Sequence, residues 1–398
     1  MLFRSLAKVV HFGVLQLFPG HMTYTAIVVL SKQPAASFGF TRVRDVAREL
    51  LLDQASSRYY NQDFGAEPWV FVSPETETLF GRIRGHNTVA LGSIADILVG
   101  LQTSADPVYI FQATADTGAT LRFTTKKDKW EWEIEKSICV RCLMDVPFEP
   151  FDTVRANAWM IYPYVKASGQ AALLDEDSLR DNYPLCWAYL NYHRANLSKR
   201  SISGVKDPAT GEPVWYQFGR SQNLSKFIGA PKLLFPVLSR RPKYVYDETN
   251  MQFTGGGNGP YYSIVGRADY SLLYLMAILS HPVFEGMVKA RASEFSGAYY
   301  SHGKQFIKDL PIRRIDFGSA TERGLHDEIV KTVAGLIEAK AKARATSVPA
   351  NKAVHLRKAG LLETRMQAQV AALYGLDDGD ISTVAEDEIL YGRVTEQE

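Results

Sequence analysis

The hydrophobic and polar positions along this chain change rhythm three times. Residues 1 to 32 hold two β-rich pieces, KVVHFGVLQLF and TYTAIVVLSK, separated by Pro19-Gly20. The second is a continuous apolar run of the buried-strand type. A hairpin without a sheet to join is marginal, so this stretch is expected to be the last strands of a larger domain whose beginning lies elsewhere. A helical pattern follows from Arg42 to Leu51, then polar, turn-rich sequence to Glu77.

The middle of the chain alternates as strands do. LVGLQTSADPVYIFQ from Leu98 predicts a short strand or turn, a Gly-Leu-Gln-Thr loop and a second strand. Lys126 to Lys136 mixes Lys and Glu with Trp130 and Trp132 and predicts a solvent-edge strand, and AWMIYPYV from Ala158 an aromatic strand ending near Pro163. Leu174 to Arg200 is helical with a break expected at Pro184, because proline lacks the amide that an interior turn needs. Lys199-Arg200 suit the negative carbonyl end of that helix.

Pro231 to Ile312 is the most informative stretch. Two apolar, β-branched or aromatic strands carry a basic flank of Arg240, Arg241 and Lys243. A Gly-rich loop at Gly255 to Gly259, an apolar helix SLLYLMAILS and a Gly/Tyr/Lys segment ending on Pro311 follow. Beyond it, Leu325, Ile329, Val333, Leu336 and Ile337 recur at helical spacing, and a second face carries Leu362, Met366, Val370 and Leu373. Two amphipathic helices with a short polar link, and Gly375 as C-cap, make an antiparallel hairpin. The acidic residues from about Asp377 are expected to be partly disordered.

Composition bounds the reading. The chain has 398 residues, enough for two or three cores. It has no apolar run of bilayer length. Its N-terminal apolar stretch is interrupted by Lys8 and His11 and lacks a cleavage site, so it is not a signal peptide. Three cysteines argue against a disulfide framework and for a reducing, cytoplasmic compartment. Net charge is only +2, yet between Arg194 and Lys243 ten basic residues (Arg194, Lys199, Arg200, Lys206, Arg220, Lys226, Lys232, Arg240, Arg241, Lys243) face only Asp207 and Glu212. That excess is the footprint of a nucleic-acid groove or a solvated face with counter-charges elsewhere in the fold.

Several motifs point to chemistry. Cys139 and Cys142, with Cys186 and His193, offer four zinc ligands, but a structural zinc site needs two tight half-sites and the second is loose. Two strand cysteines three apart are the better account. Phe253-Thr254-Gly255-Gly256-Gly257 spells a Phe-x-Gly-x-Gly nucleotide or S-adenosylmethionine loop. Such a loop needs a helix after it so that backbone amides face the cofactor. Here YYSIV follows, a strand, so a hairpin connection is expected instead. No Ser/His/Asp triad, His-x-x-x-His pair or carboxylate dyad stands out, and Asn-Pro-Pro-Tyr and Asn-Pro-Pro-Phe are absent. WYQFGRSQNL from Trp215 interleaves aromatic and basic residues, which suits base stacking and phosphate contact or an ordinary half-buried strand.

Taken in order, these segments resemble the C-terminal part of the adenine-specific (N6) DNA methyltransferases of restriction–modification systems, with the TaqI-like C-terminal specificity domain. KVVHFGVLQLFPGHMTYTAIVVLSK resembles the last β-hairpin of the methyltransferase sheet, and ILVGLQTSADPVYIF the turn that opens the recognition region. MIYPYV, YPLCWAYLNYHRANLSKR and WYQFGRSQNL follow in the expected order. PKLLFPVLSRRPKYVYD, LLYLMAILSHPVFEGMV and SGAYYSHGKQFIKDLPI are the most specific matches, with Ser280-His281 departing from the usual Asn-Ser. The ending ALYGL fits as well.

The resemblance implies an α+β fold in five parts: a remnant of the methyltransferase core (1–35), a connecting segment (36–95), a DNA specificity domain (96–316), a helical hairpin (317–376) and an acidic tail (377–398). It implies recognition of double-stranded DNA, with the target base swung out toward a catalytic domain. The family's S-adenosylmethionine loop and Asn-Pro-Pro-aromatic motif lie upstream of these segments, so no catalytic or cofactor residue is expected here. A fragment, a split subunit and a truncated reading frame all fit. The resemblance and the basic stretch together mark Arg220, Gln222, Lys226, Arg240, Arg241, Lys243, Tyr299, Tyr300, His302 and Lys304 as DNA contacts. Arg240 and Arg241 would meet phosphate or guanine. Two other readings remain: a methyltransferase with an unrecognised cofactor site around Gly255, and a specificity subunit whose hairpin docks a catalytic methyltransferase or nuclease chain.

Overall fold

The computed structural model describes all residues except 1–4, 22, 44–56, 66–68, 126–129, 168, 222, 227–229, 256–259, 268, 293, 296–298 and 393–398. The fold is α+β. Its centre is a four-stranded antiparallel sheet in the order Val245–Asp247, Lys232–Pro236, Tyr261–Gly266, Ala95–Val99. Successive side chains of a strand point to opposite faces. Leu233 and Phe235 therefore enter one core with Ile97 and Ile264, while Leu234 enters another with Leu98 and Val245.

The first core is mainly helical. Ser271 caps Leu272–Leu279 by accepting from the Leu273 amide, and every residue of that helix except Leu273 is buried. Each large apolar side chain so buried contributes about 1.5–3 kcal/mol. Pro282–Arg291 follows at 70°, a break explained by Pro282 at the first helical position, where its missing amide costs nothing. Among the described residues no single helix is long and apolar enough to cross a membrane.

The helical hairpin forms as the periodicity predicts, over Ala320–Ala345 and Pro349–Tyr374, with Gly375 in the left-handed region at φ +60°. Ile329, Val333, Leu336, Met366 and Val370 lie in the same core as Leu272–Leu279. Tyr374 is fully buried and ties the hairpin to Leu310-Pro311-Ile312. Its hydroxyl donates to the Pro311 carbonyl (2.9 Å) and accepts from the Arg313 amide (2.7 Å).

The second core lies on the other face of the central sheet. It is built around the sheet Gln252–Phe253, Cys139–Leu143, Ala158–Ile161, Ile110–Phe111 and the three-stranded sheet Glu131–Glu135, Thr120–Thr124, Ala115–Asp116. The break at Pro184 separates Glu176–Asn182 from Pro184–Tyr192 as expected. Cys139, Cys142 and Cys186 are buried thiols that burial pushes up in pKa, and among the described residues no three His, Cys, Asp or Glu side chains gather as a metal site.

Three expectations are corrected, and a fourth falls mostly on residues that are not described. The apolar run Ala26–Ser31 does pair with Ser5–His11, but it is an edge strand in the order Ala26–Ser31, Ser5–His11, Ser37–Arg42, Ser57–Tyr60. Ile27, Val28, Val29 and Leu30 are each 44–47 % exposed, so neither face is covered. The residues flanking the Gly-rich loop are not a hairpin, because Gln252–Phe253 and Tyr261–Gly266 belong to different sheets. The C-terminal tail is helical over Asp378–Gly392, with Val384 buried against the core and Arg82 paired to Asp380 at 2.5 Å. Arg42 ends the strand Ser37–Arg42, and the helix expected after it lies, from residue 44, outside the described residues.

A backbone crossing locks the two layers together. The Leu101 amide donates to Phe253 (2.9 Å) and the Gly255 amide to Leu101 (3.1 Å). A Cβ on Gly100 would sit 2.5 Å from the Thr254 carbonyl carbon, and one on Gly255 2.2 Å from the Gly100 amide nitrogen. Gly100→Ala is expected to cost about 3 kcal/mol in urea unfolding; a loss within experimental error of zero would show that the crossing yields.

A second prediction concerns pH. His281 is buried, its Nδ1 accepts from the Val283 amide (3.3 Å), and burial lowers its pKa from 6.5 to about 4. The unfolded chain therefore takes a proton that the folded chain refuses. The stability it leaves intact above pH 6.5 is lost as pH falls from there toward about 4. Between pH 7 and 5 the loss is about 2 kcal/mol. In His281→Asn, which keeps a capping side chain, that part of the pH dependence should vanish; identical pH slopes in the two proteins would refute the assignment.

Candidate nucleic-acid interface

The strand Lys232–Pro236 leaves the central sheet through Val237, and Leu238–Ser239 then pairs with Tyr299–Ser301 in a small outer sheet. Arg240 to Lys243 form the turn, and Val245–Asp247 returns beside Lys232–Pro236. Ser239 shapes the turn from within, since its hydroxyl donates to the Arg241 carbonyl (2.5 Å) and accepts from the Arg241 amide (3.4 Å). The basic flank is thus carried on a short loop with both ends anchored in sheets.

That loop forms one wall of a cleft of about 920 Å³. The opposite wall is Asp145 to Phe148, and Pro236, Pro260 and Tyr261 also line it. Tyr261 stacks on Phe148 (5.5 Å between centroids) and donates its hydroxyl to the Val146 carbonyl (2.6 Å). Arg240, Arg241, Lys243 and Tyr299, four of the ten residues marked from sequence, line this one cleft. Arg240 lies over the exposed Tyr299 ring at 5.1 Å. Arg241 and Lys243 both bind the Glu149 carboxylate, Lys243 at 3.1 Å. Partial burial pushes that carboxyl up, but the hydrogen bonds and charges of Lys243 and Arg241 outweigh it, and its pKa lies below the usual range.

The other marked residues are placed differently. Tyr300 is buried beneath Lys289, 5.4 Å from its ring, rather than exposed for a base. His302 is 2 % exposed and turned inward, where Nε2 meets both Glu285 oxygens (3.1 and 3.0 Å) and Nδ1 the Tyr300 carbonyl (3.1 Å). As arranged here, neither can touch DNA directly. His302 instead pins the Tyr299–Ser301 strand to Pro282–Arg291. Lys304 is exposed one turn beyond Ser301, outside the cleft lining. Arg220 donates to the Ser201 and Gly219 carbonyls and Lys226 pairs with Asp96 at 3.3 Å, both away from the cleft. Gln222 lies outside the described residues.

The basic excess from Arg194 to Lys243 also resolves into two kinds of residue. Arg200 is structural, donating to the carbonyls of Leu197, Thr103, Trp215 and Gln217. Lys232 is fully buried and paired with Asp247 at 2.7 Å; burial lowers its pKa and Asp247 opposes that. Charge counted along a chain does not distinguish a solvated cation from one holding the interior together.

Three residues in or beside the cleft escaped the sequence reading. Phe295 lines it and meets Tyr24 of the N-terminal segment edge to face at 6.2 Å. Glu294, beside it, pairs with Arg42. Glu149 is far from Lys243 along the chain and had no local signal beyond a Pro-rich turn. The Phe253-to-Gly255 segment does not fit a cofactor cradle, because the space a ligand would need against Gly255 is filled by the Gly100 backbone.

No family model matches the chain. It is similar, at 27 % identity over 339 residues, to the type II restriction enzyme and methyltransferase RM.Eco57I of Escherichia coli, covering 82 % of this chain and 34 % of that protein. It is also 27 % identical over 193 residues to the type II methyltransferase M.BanIII of Aneurinibacillus aneurinilyticus, covering 46 % of this chain and 28 % of that protein. The chain spans about a third of the length of the curated relatives it matches.

Removing one partner of a buried pair leaves the other uncompensated. His302→Ala is therefore expected to destabilise the protein by about 3 kcal/mol and to speed amide exchange at Tyr299–Ser301. Unchanged exchange there would show that the cleft wall does not depend on this pair.

Proposed function

We propose that this chain is the DNA target-recognition part of a type II restriction–modification methyltransferase. The observation that carries the reading is the cleft, which brings Arg240, Arg241, Lys243 and an exposed Tyr299 onto one concave surface. Guanidinium and ammonium groups bind phosphate oxygens, arginine also reads guanine, and the face of an aromatic ring offers a stacking surface. The similarity to RM.Eco57I and M.BanIII supports the same class of protein.

In this reading residues 96–316 are a TaqI-like specificity domain, and residues 1–35 are the last hairpin of an adenine-N6 methyltransferase sheet. The doubly exposed strand Ala26–Ser31 supports the second assignment, since a strand apolar on both faces suits a sheet covered by helices on both sides. S-adenosylmethionine would supply the methyl group in the longer enzyme. Among the described residues the Phe253-to-Gly255 segment leaves no room for it, so the role assigned here is holding and reading the duplex. The hairpin over Ala320–Ala345 and Pro349–Tyr374 braces that reader.

The test is duplex binding by the chain and by its Arg240→Ala/Arg241→Ala/Lys243→Ala variant, with circular dichroism confirming an intact fold. Wild-type affinity should fall steeply with salt. The variant should bind more weakly, with a salt slope shallower by about one for each phosphate it no longer neutralises. Equal affinity in the two proteins, or wild-type binding indifferent to salt, would overturn the proposal.

A further inference from the structure

Glu149 stands beside the cleft, and its charge, like that of Asp145 in the lining, works against DNA binding; its setting is unusually elaborate for a surface carboxylate. Each oxygen takes one cation, Oε1 from Lys243 at 3.1 Å and Oε2 from Arg241. An ordinary exposed ion pair is held only by its own flexible side chains. Here the backbone beneath the carboxylate is fixed from several directions. The Glu149 amide donates to Asp152 Oδ2 (2.8 Å) and the Asp152 amide returns to the Glu149 carbonyl (3.1 Å).

The anchoring continues into the helical hairpin. Asp152 is 7 % exposed and accepts from Arg344 (2.6 Å), while Lys340 donates to the Pro150 carbonyl (2.8 Å). Phe151 is buried at φ +61°, a backbone conformation non-glycine residues rarely hold unless their surroundings impose it. Its amide donates to the Tyr244 carbonyl (3.0 Å), next in sequence to Lys243. The loop carrying the anion and the loop carrying the cations are therefore registered to each other through the backbone.

We propose that Glu149 is a built-in surrogate for a DNA phosphate: it holds Arg241 and Lys243 in position in the unbound protein and must be displaced, oxygen for oxygen, by the incoming backbone. This rests on the cleft being the DNA site. The carboxylate is about half exposed, so a phosphodiester can reach the same cations without unfolding anything. Its fixed backbone keeps the two cations apart and pre-set while they wait. The consequence is discrimination: a duplex has to out-compete an internal anion, so loosely docked DNA gains less from Arg241 and Lys243 than it would without Glu149.

The experiment compares the full chain with Glu149→Gln, which keeps the shape and removes the charge. Fluorescence anisotropy with mixed-sequence duplex is run at about 50 and about 200 mM salt, alongside elution from immobilised heparin. Glu149→Gln should bind duplex about tenfold more tightly at the lower salt, with a salt slope steeper by about one, and elute later from heparin. In an Arg241→Met/Lys243→Met background the same substitution should gain less than about twofold, because the anion then has nothing to hold. Retention on heparin equal to or shorter than wild type overturns the proposal, as does weaker duplex binding, which would mark Glu149 as an acceptor for a base amino group instead. If neither protein binds duplex while Glu149→Gln is retained longer on heparin, the DNA reading fails and the masking of the two cations stands.

Discussion

The turn that lines the cleft hangs from one strand that must bury both of its faces. Lys232–Pro236 sends Leu233 and Phe235 into the helical core and Leu234 into the strand-rich one. A strand so placed cannot slip, because a shift of one residue would exchange its two faces. The fully buried Lys232–Asp247 pair, directly opposite in the register, adds a cost to any other pairing, since separating the two would strand a charge in the interior. The turn from Arg240 to Lys243 is consequently delivered to one place, at the mouth of the cleft.

The surrounding architecture gives that turn its walls. The outer sheet holds Tyr299 beside Arg240, the Glu285–His302 pair ties that sheet to Pro282–Arg291, and the helical hairpin reaches across through Lys340 and Arg344 to the Glu149 loop. Cations on rigid elements lose little freedom when they meet a phosphate. Their pairing with Glu149 offsets part of the positive charge that they bring to this surface.

Much of this was legible along the chain, and for identifiable reasons. The hairpin over Ala320–Ala345 and Pro349–Tyr374 announced itself through the spacing of Ile329, Val333, Leu336, Met366 and Val370 and the glycine at 375, all of which are local signals. The break at Pro184 is equally local. The disagreements arose where burial is decided by distant sequence. Ala26–Ser31 has the composition of a buried strand, yet burial requires partners that its own residues do not specify. Asp378–Gly392 looked like a solvated acidic tail, and only Val384 meeting Pro282–Arg291 and Asp380 meeting Arg82 made it a packed helix.

The candidate site divides along the same line. Residue type and order were enough to bring Arg240, Arg241, Lys243 and Tyr299 forward, because cationic and aromatic side chains on a strand-flanking turn carry their chemistry with them. Which neighbours stand opposite them was set only by the folded chain: His302 and Tyr300 turned inward, Arg200 and Lys232 became internal supports, and Glu149 arrived from a segment that had drawn no attention. Chemical capacity is a property of the side chain and travels with the sequence. Accessibility and counter-charge are properties of its surroundings, and those exist only once residues far apart in the chain have been packed against each other.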